Sequence, residues 1–215
     1  MKKVLKKIFN KKMLSEKEKD ALMIRINNVD LSVKINNVQL FYTDFLRLKP
    51  EGYLNDDILN AFTSLLQKKH KKNYYFDTKF MFEYENYGLK KINQKFIDSS
   101  EKLFIPILNY KKNSHWILIV VDKIKKTLTC FDSCIKKKSK TYAEKYLNLV
   151  REFLGDEDLT IFFDEKTPQQ NNTYDCGMYV CVIMDCISEK KPLTFSPEEI
   201  TNRRYEMMQL FLNFF

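Results

Sequence analysis

Apolar positions along this 215-residue chain change their period several times, and each change marks an element. Residues 29–48 alternate polar and apolar, which predicts a short strand over Val38, Leu40 and Tyr42, with Phe45 and Leu48 continuing the apolar contacts. Lys49-Pro50-Glu51-Gly52 predicts a turn. Asn55 then caps a helix. Asp56 and Asp57 fill its first turn, and Ile58, Leu59, Phe62, Leu65 and Leu66 form one apolar face. Lys68 and Lys69 stand near its end, where the helix dipole favours cations. The aromatic-rich stretch 73–98 reads as two short helices that pack Phe76, Phe80, Phe82, Ile92 and Phe96.

A strand block follows. Leu103–Leu108 and Trp116–Val121 are continuous apolar runs, and Leu128–Phe131 is a shorter one. The polar connection 122–126 is short enough to join the last two as a hairpin. Leu159–Phe163 reads as a further strand. Thr141-x-x-Glu144 is a capping box that predicts a helix through Leu154, with Tyr142, Tyr146, Leu149, Val150 and Phe153 facing inward and Gly155 stopping it. Ser196-Pro197-Glu198-Glu199 is a second box. It opens a C-terminal helix carrying Ile200, Met207, Met208, Phe211 and Phe214.

Composition narrows the class. The length suits one domain, and 44% hydrophobic with 14% aromatic residues is enough for a core. The five cysteines are Cys130, Cys134, Cys176, Cys181 and Cys186. An odd number behind no signal peptide points to a reducing compartment rather than a disulfide framework. Nothing has the spacing of a zinc site, and no apolar run reaches the roughly 18 residues of a membrane span. An intracellular protein of nucleus or cytoplasm is expected, as a monomer. Charge is uneven. Residues 1–19 hold eight lysines and two glutamates, so they supply +6 of the chain's +9. Val4, Leu5, Ile8, Phe9, Met13 and Leu14 fall there at near-helical spacing. Residues 1–35 are therefore read as a basic N-terminal extension, solvated or docked, with an acidic lipid or nucleic-acid surface as its alternative partner. Residues 36–215 are read as the main folded domain.

The hairpin carries a geometric expectation. His115 lies just before its first strand and Asp132 just after its second, so antiparallel pairing brings both to one end of the sheet. There a carboxylate can accept the imidazole N–H and fix its tautomer. Downstream, the polar stretch 169–175 turns abruptly apolar at Met178, Tyr179, Val180, Val182, Ile183 and Met184, which predicts a buried helix. With Asp175 as N-cap, Cys176 falls in the first turn, where free N–H groups and the helix dipole favour a thiolate and can hold an oxyanion. Gln170 can add a side-chain amide. Cys130, Cys134, Cys181 and Cys186 read as structural, and His70, in a Lys-rich stretch, as exposed.

At this point the chain resembles a known family. Gln170-Asn171-Asn172-Thr173-Tyr174-Asp175-Cys176-Gly177 is similar to the nucleophile motif of the SUMO-specific and related ubiquitin-like proteases. Ser114-His115-Trp116 and Phe131-Asp132-Ser133 resemble that family's His and Asp motifs, and Tyr53-Leu54-Asn55-Asp56-Asp57-Ile58 resembles its Trp-Leu-Asn-Asp segment. The resemblance runs from about Val38 to the C-terminus. It implies an α+β, papain-like cysteine protease fold, with a central nucleophile-bearing helix on a mainly antiparallel sheet and flanking helices. It implies Cys176, His115, Asp132 and Gln170 as catalytic residues, and cleavage after the Gly-Gly tail of a ubiquitin-like modifier. It implies a tunnel for that tail between Trp116 and Tyr53, and contact of Asp56 with a basic residue of the modifier. Tyr53 departs from the family's Trp, and a buried tyrosine hydroxyl needs a partner.

SUMO is the first choice of modifier, with ubiquitin or a Nedd-type modifier as alternatives, the former fitting a pathogen effector acting in a host cytoplasm. Acyl transfer by the same Cys-His-Asp set is a further alternative. The mechanism requires no metal or cofactor.

Overall fold

The computed structural model of the chain describes residues 8–9, 13–88, 94–109, 115–134 and 137–215, with the backbone alone at 137–140. Val4, Leu5, Ile92 and Ser114 lie outside the described residues. In chain order the elements are α1 (Glu16–Ile26), β1 (Ser32–Ile35), β2 (Val38–Phe41), α2 (Tyr42–Arg47), α3 (Asp56–Lys69), β3 (Asn73–Tyr75), α4 (Phe80–Tyr87) and α5 (Gln94–Ser99). They continue with β4 (Lys102–Asn109), β5 (His115–Asp122), β6 (Thr127–Phe131), α6 (Lys137–Leu154), β7 (Thr160–Phe163), α7 (Cys176–Ser188) and α8 (Pro197–Leu212).

The β1–β2 hairpin stands apart from a five-stranded sheet in the order β3-β4-β5-β6-β7. The two central ladders are antiparallel, and the outer strands β3 and β7 run parallel to their neighbours. The α+β class holds, with a sheet that is antiparallel at its centre and mixed overall.

Side chains alternate across a strand, so each strand of this sheet feeds two cores. Phe104, Trp116, Leu118 and Val120 join α3, α7 and α8 on the front face. Leu103, Ile105, Ile107, Ile117, Ile119 and Val121 join α6 and α4 on the back. Burial on both faces explains why β4 and β5 read as unbroken apolar runs rather than as alternation. Helix α7 is buried from Cys176 to Asp185 and packs on β5 between α3 and α8.

Local chemistry fixes the ends that matter for the site. Asn55 caps α3, its side-chain oxygen accepting from the Ile58 N–H at 3.2 Å. The Asn55 amide also donates to Asp44 at 2.8 Å, and Asp44 accepts from the Phe41 N–H at 2.8 Å. The starts of α2 and α3 are thereby tied together. Both capping-box bonds of Ser196 and Glu199 form at α8.

Several expectations change. Tyr42 opens α2 instead of ending a strand. Residues 73–75 form a strand rather than helix, because Gln67 on α3 donates to the Asn73 carbonyl and accepts from the Tyr75 N–H while β3 pairs with β4. Phe82 and Phe96 are exposed, and Met81 and Ile97 take the core positions beside Phe76 and Phe80. Helix α6 starts at Lys137, so Thr141 and Glu144 lie inside it; Gly155, at φ +60°, ends it. His70 is not simply exposed: it caps the end of α3 and meets Glu189 at 3.1 Å.

Ile8, Phe9, Leu22, Ile26, Leu31, Val33 and Ile35 belong to the front core. Phe9 stacks on Phe62 of α3 at 5.4 Å between ring centroids, and Arg203 of α8 lies 5.5 Å from its ring. Phe9→Ala removes this plug. A loss of about 3 kcal/mol in stability is expected, read as a lower urea midpoint with unchanged slope; an unchanged midpoint would mean that Phe9 is not seated there in solution.

Candidate active site

Antiparallel register brings the first two groups together. Asn109 faces His115 at one end of the β4–β5 ladder, and Leu118 faces Phe131 across β5 and β6. His115, the first residue of β5, therefore lies beside Asp132, the first residue beyond β6. The His115 Nε2 sits 2.7 Å from Asp132 Oδ1, which also accepts the Cys134 N–H at 2.8 Å. With Nε2 on the carboxylate, Nδ1 is left as the ring nitrogen for a third group.

That group is Cys176. It is the first residue of α7, and its thiol interacts with the His115 ring and raises the imidazole's pKa. The N-terminal turn of an α-helix leaves backbone N–H groups without helical acceptors, so the sulfur stands where negative charge is favoured. Burial pulls the His115 imidazolium down. The hydrogen bonds and charges of Asp132 and Cys176 outweigh that and push the ring from its ordinary 6.5 up to about 10. Burial pushes Cys130 up to about 12 and Cys186 up to about 11, and raises Cys181 further still. Those three behave as packing residues, as their place in apolar elements suggests.

The loop ahead of α7 is sewn to the end of the sheet. Gln169 donates to the Asp132 carbonyl at 2.9 Å, and the Gln170 N–H donates to the Ser133 carbonyl at 2.8 Å. The Ser133 hydroxyl donates to Gln170 Oε1 at 2.7 Å, which fixes the orientation of that amide. Gln170 Nε2 donates to the Asn172 carbonyl at 2.7 Å. An amide nitrogen carries two hydrogens, so the contact with Asn172 leaves the second for a ligand. Tyr179, one turn into α7, donates to the Gln169 carbonyl at 3.2 Å.

The two aromatic residues take different roles in packing. Trp116 is 2% exposed, and its indole N–H donates to the Leu54 carbonyl at 3.0 Å. Tyr53 is 45% exposed, and its hydroxyl pairs with Thr173 Oγ1 at 3.0 Å while its ring meets Tyr174 edge-on. Tyr53 thus satisfies its hydroxyl on the loop ahead of α7. Asp56 is the first residue of α3, next to the capping Asn55. Gly177 fits between Leu54 and Trp116. A Cβ there would stand 2.9 Å from Leu54 Cβ and 3.2 Å from Trp116 Cδ1.

Asp175 departs from its expected role. Its backbone is αR and its side chain makes no cap bond. One oxygen instead accepts Arg204 Nε at 2.8 Å and the other accepts Asn172 Nδ2 at 2.7 Å. Arg204, Ser133, Gln169 and Asn172 all support the site, and none was singled out in the sequence for that role. Ser133 and Asn172 lie inside the recognised motifs and Gln169 adjoins one, but Arg204 lies in a helix whose pattern does not separate a buried arginine from a solvated one.

A thiol at the mouth of a buried helix, beside an imidazole that is hydrogen-bonded to a carboxylate, is the arrangement of papain-like cysteine peptidases. A family model described as the Ulp1 protease family, C-terminal catalytic domain, matches residues 36–214, and the chain belongs to this family. Ubiquitin-like-specific protease 1 of Saccharomyces cerevisiae is 28% identical over 215 residues, covering 93% of this chain and 34% of that protein. Human sentrin-specific protease 2 is 29% identical over 186 residues, covering 77% of this chain and 31% of that protein. The chain therefore spans about a third of these curated relatives. Among solved structures, the yeast Ulp1 C-terminal protease domain in complex with Smt3, the yeast ortholog of SUMO, superposes with a TM-score of 0.80 at 27% identity, covering 94% of this chain and 96% of that one.

Two measurements test this geometry. The His115 ring is expected to remain protonated in the folded protein until about pH 10. Its folded value lies above the ordinary one, so the stability it contributes is complete below about pH 6.5 and is lost as pH rises through about 10. Asp132→Asn should lower the midpoint, followed through the ring Cε1 proton by NMR; a wild-type ring titrating near 6.5 would contradict the contacts. Gly177→Ala should force Leu54 and Trp116 apart, with a stability loss of about 1–3 kcal/mol and a quenched or shifted Trp116 emission.

Proposed function

We propose that the protein is a cysteine protease that cleaves after the C-terminal Gly-Gly of SUMO, processing precursors, releasing conjugates, or both. Residues 36–215 act as the catalytic domain in this reading, and residues 1–35 as its N-terminal extension. The observation that carries it is Cys176 at the start of α7, interacting with a His115 ring that is itself hydrogen-bonded to Asp132. Family membership and the likeness to a Smt3-bound protease domain support the choice of modifier.

The chemistry follows from the charges. A protonated His115 beside Cys176 favours the thiolate–imidazolium pair. The thiolate attacks the carbonyl carbon of the terminal glycine. Negative charge moves to the carbonyl oxygen, where the backbone N–H of Cys176 and the second hydrogen of the Gln170 amide receive it, each donor contributing roughly 3 kcal/mol. The C–N bond then breaks, and His115 gives its proton to the leaving lysine amine. Water, deprotonated by the now neutral His115, hydrolyses the thioester and restores the thiol.

Trp116 and Tyr53 supply the walls of the channel for the tail. Two residues without Cβ let the backbone pass beneath flat rings, and any side chain there would clash. Asp56, at the mouth of α3, contacts a basic residue of the modifier. The protein works inside the cell, in nucleus or cytoplasm. The five free thiols fit a reducing compartment, and among the described residues no helix is long and apolar enough to cross a membrane.

The test is a panel of C-terminal electrophile probes built on SUMO, ubiquitin and a Nedd-type modifier. The SUMO probe should form an adduct on Cys176. Cys176→Ser should abolish both adduct and cleavage, a loss of at least 10⁴-fold, while keeping SUMO binding. Labelling by another modifier alone would reassign the substrate, and full cleavage by Cys176→Ser would remove the mechanism.

A further inference from the structure

The residue immediately before the nucleophile is an aspartate that is 2% exposed. A buried carboxylate one peptide unit from Cys176 opposes a thiolate there and offsets the helix dipole that favours it. Asn172 donates to one oxygen of this carboxylate, and a buried cation meets the other. Arg204 of α8, 1% exposed, places Nε at 2.8 Å and Nη2 at 2.7 Å from the same Asp175 oxygen. Its remaining hydrogens go to four carbonyls: Nη1 donates to Arg47 at 3.1 Å and Lys49 at 3.2 Å, and Nη2 donates to Gly52 at 2.7 Å and Tyr174 at 3.1 Å.

A guanidinium has five N–H donors in a fixed fork and does not deprotonate in proteins. All five have acceptors in this structure. The acceptors come from two segments that are far apart in sequence and both line the site. One is the turn 47–52, which leads into Tyr53 and Leu54. The other is Tyr174–Asp175, which leads into Cys176. Leu54 in turn accepts from Trp116. Burying an ion pair is costly, and such pairs persist where they specify a geometry.

We propose that Arg204 is a positioning residue for catalysis: it neutralises Asp175 beside the nucleophile and holds the Tyr53–Leu54 wall to the nucleophile loop. The proposal deepens the protease reading and rests on Cys176 as nucleophile. The charged groups around the sulfur are then His115 from β5, Asp132 beyond β6, Asp175 ahead of α7 and Arg204 from α8. Two of each sign surround it. Removing Arg204 leaves a net negative setting, and removing the charge of Asp175 leaves a net positive one. A lysine cannot replace the fork, because three donors on one nitrogen do not reach five acceptors in two segments.

The experiment follows alkylation of Cys176 by iodoacetamide as a function of pH, with Cys176→Ser as blank and circular dichroism to confirm folding. Arg204→Met should move the midpoint of the rate profile up by about one pH unit, a tenfold slower reaction below it, and Asp175→Asn should move it down by a similar amount. The double variant should return close to wild type. A purely structural role would slow alkylation without shifts of opposite sign. Midpoints of both single variants within about 0.2 units of wild type, or shifted in the same direction, would overturn the proposal. Should Arg204→Met fail to fold, Asp175→Asn decides alone: a downward shift supports the proposal and an unchanged or upward midpoint overturns it. No modifier enters this assay, so failure of wild-type protein to cleave SUMO would count against the protease reading and leave this result standing.

Discussion

The seating of α7 across the front face of β5 is the contact on which the rest of the site depends. It sets the start of a buried helix against the start of a strand, and so puts Cys176 against His115. Neither residue has a long reach. A helix shifted by one residue would turn the sulfur by about 100° and carry it 1.5 Å along the axis. Gly177 enforces the seating, since the gap between Leu54 and Trp116 admits no side chain at that position. The register of β5 with β6 does the corresponding work for Asp132. A slip of one residue would turn it to the other face of the sheet.

Charge is arranged with equal economy. Two carboxylates, Asp132 and Asp175, lie next to the Cys176–His115 pair, and each has its own cation. Asp132 bonds the imidazole and favours its protonated form. Asp175 is held by Arg204 and serves the loop. An unpaired acid at the mouth of α7 would disfavour a thiolate there, and Arg204 of the adjacent α8 pairs it. The uncapped N-terminus of α7 fits this view. A side chain that capped it would take up the N–H groups needed by an oxyanion.

Much of this was legible in the sequence, for identifiable reasons. The central strands announced themselves because both faces are buried, and the capping residues Asn55 and Ser196 announced their helices because cap chemistry is local. The meeting of His115 and Asp132 followed from hairpin geometry alone. Other features were not legible because they are decided by partners remote in sequence. Strand β3 exists because Gln67 and β4 supply its bonds, not because 73–75 has a strand pattern. Phe82 and Phe96 looked like core, but the helix faces that pack are those of Met81 and Ile97. Asp175 has the identity and position of a cap. Only Arg204, 29 residues on, reveals its other employment.

Helix α7 has no solvent face over its first ten residues, Cys176 to Asp185. Amphipathic helices at a surface can fray or detach without melting the domain, but a helix surrounded by core on every side has no such partial route. Its amides should exchange with solvent only when the whole domain opens. The setting of Cys176 within α7 is therefore lost only when the domain itself unfolds, under heat or denaturant.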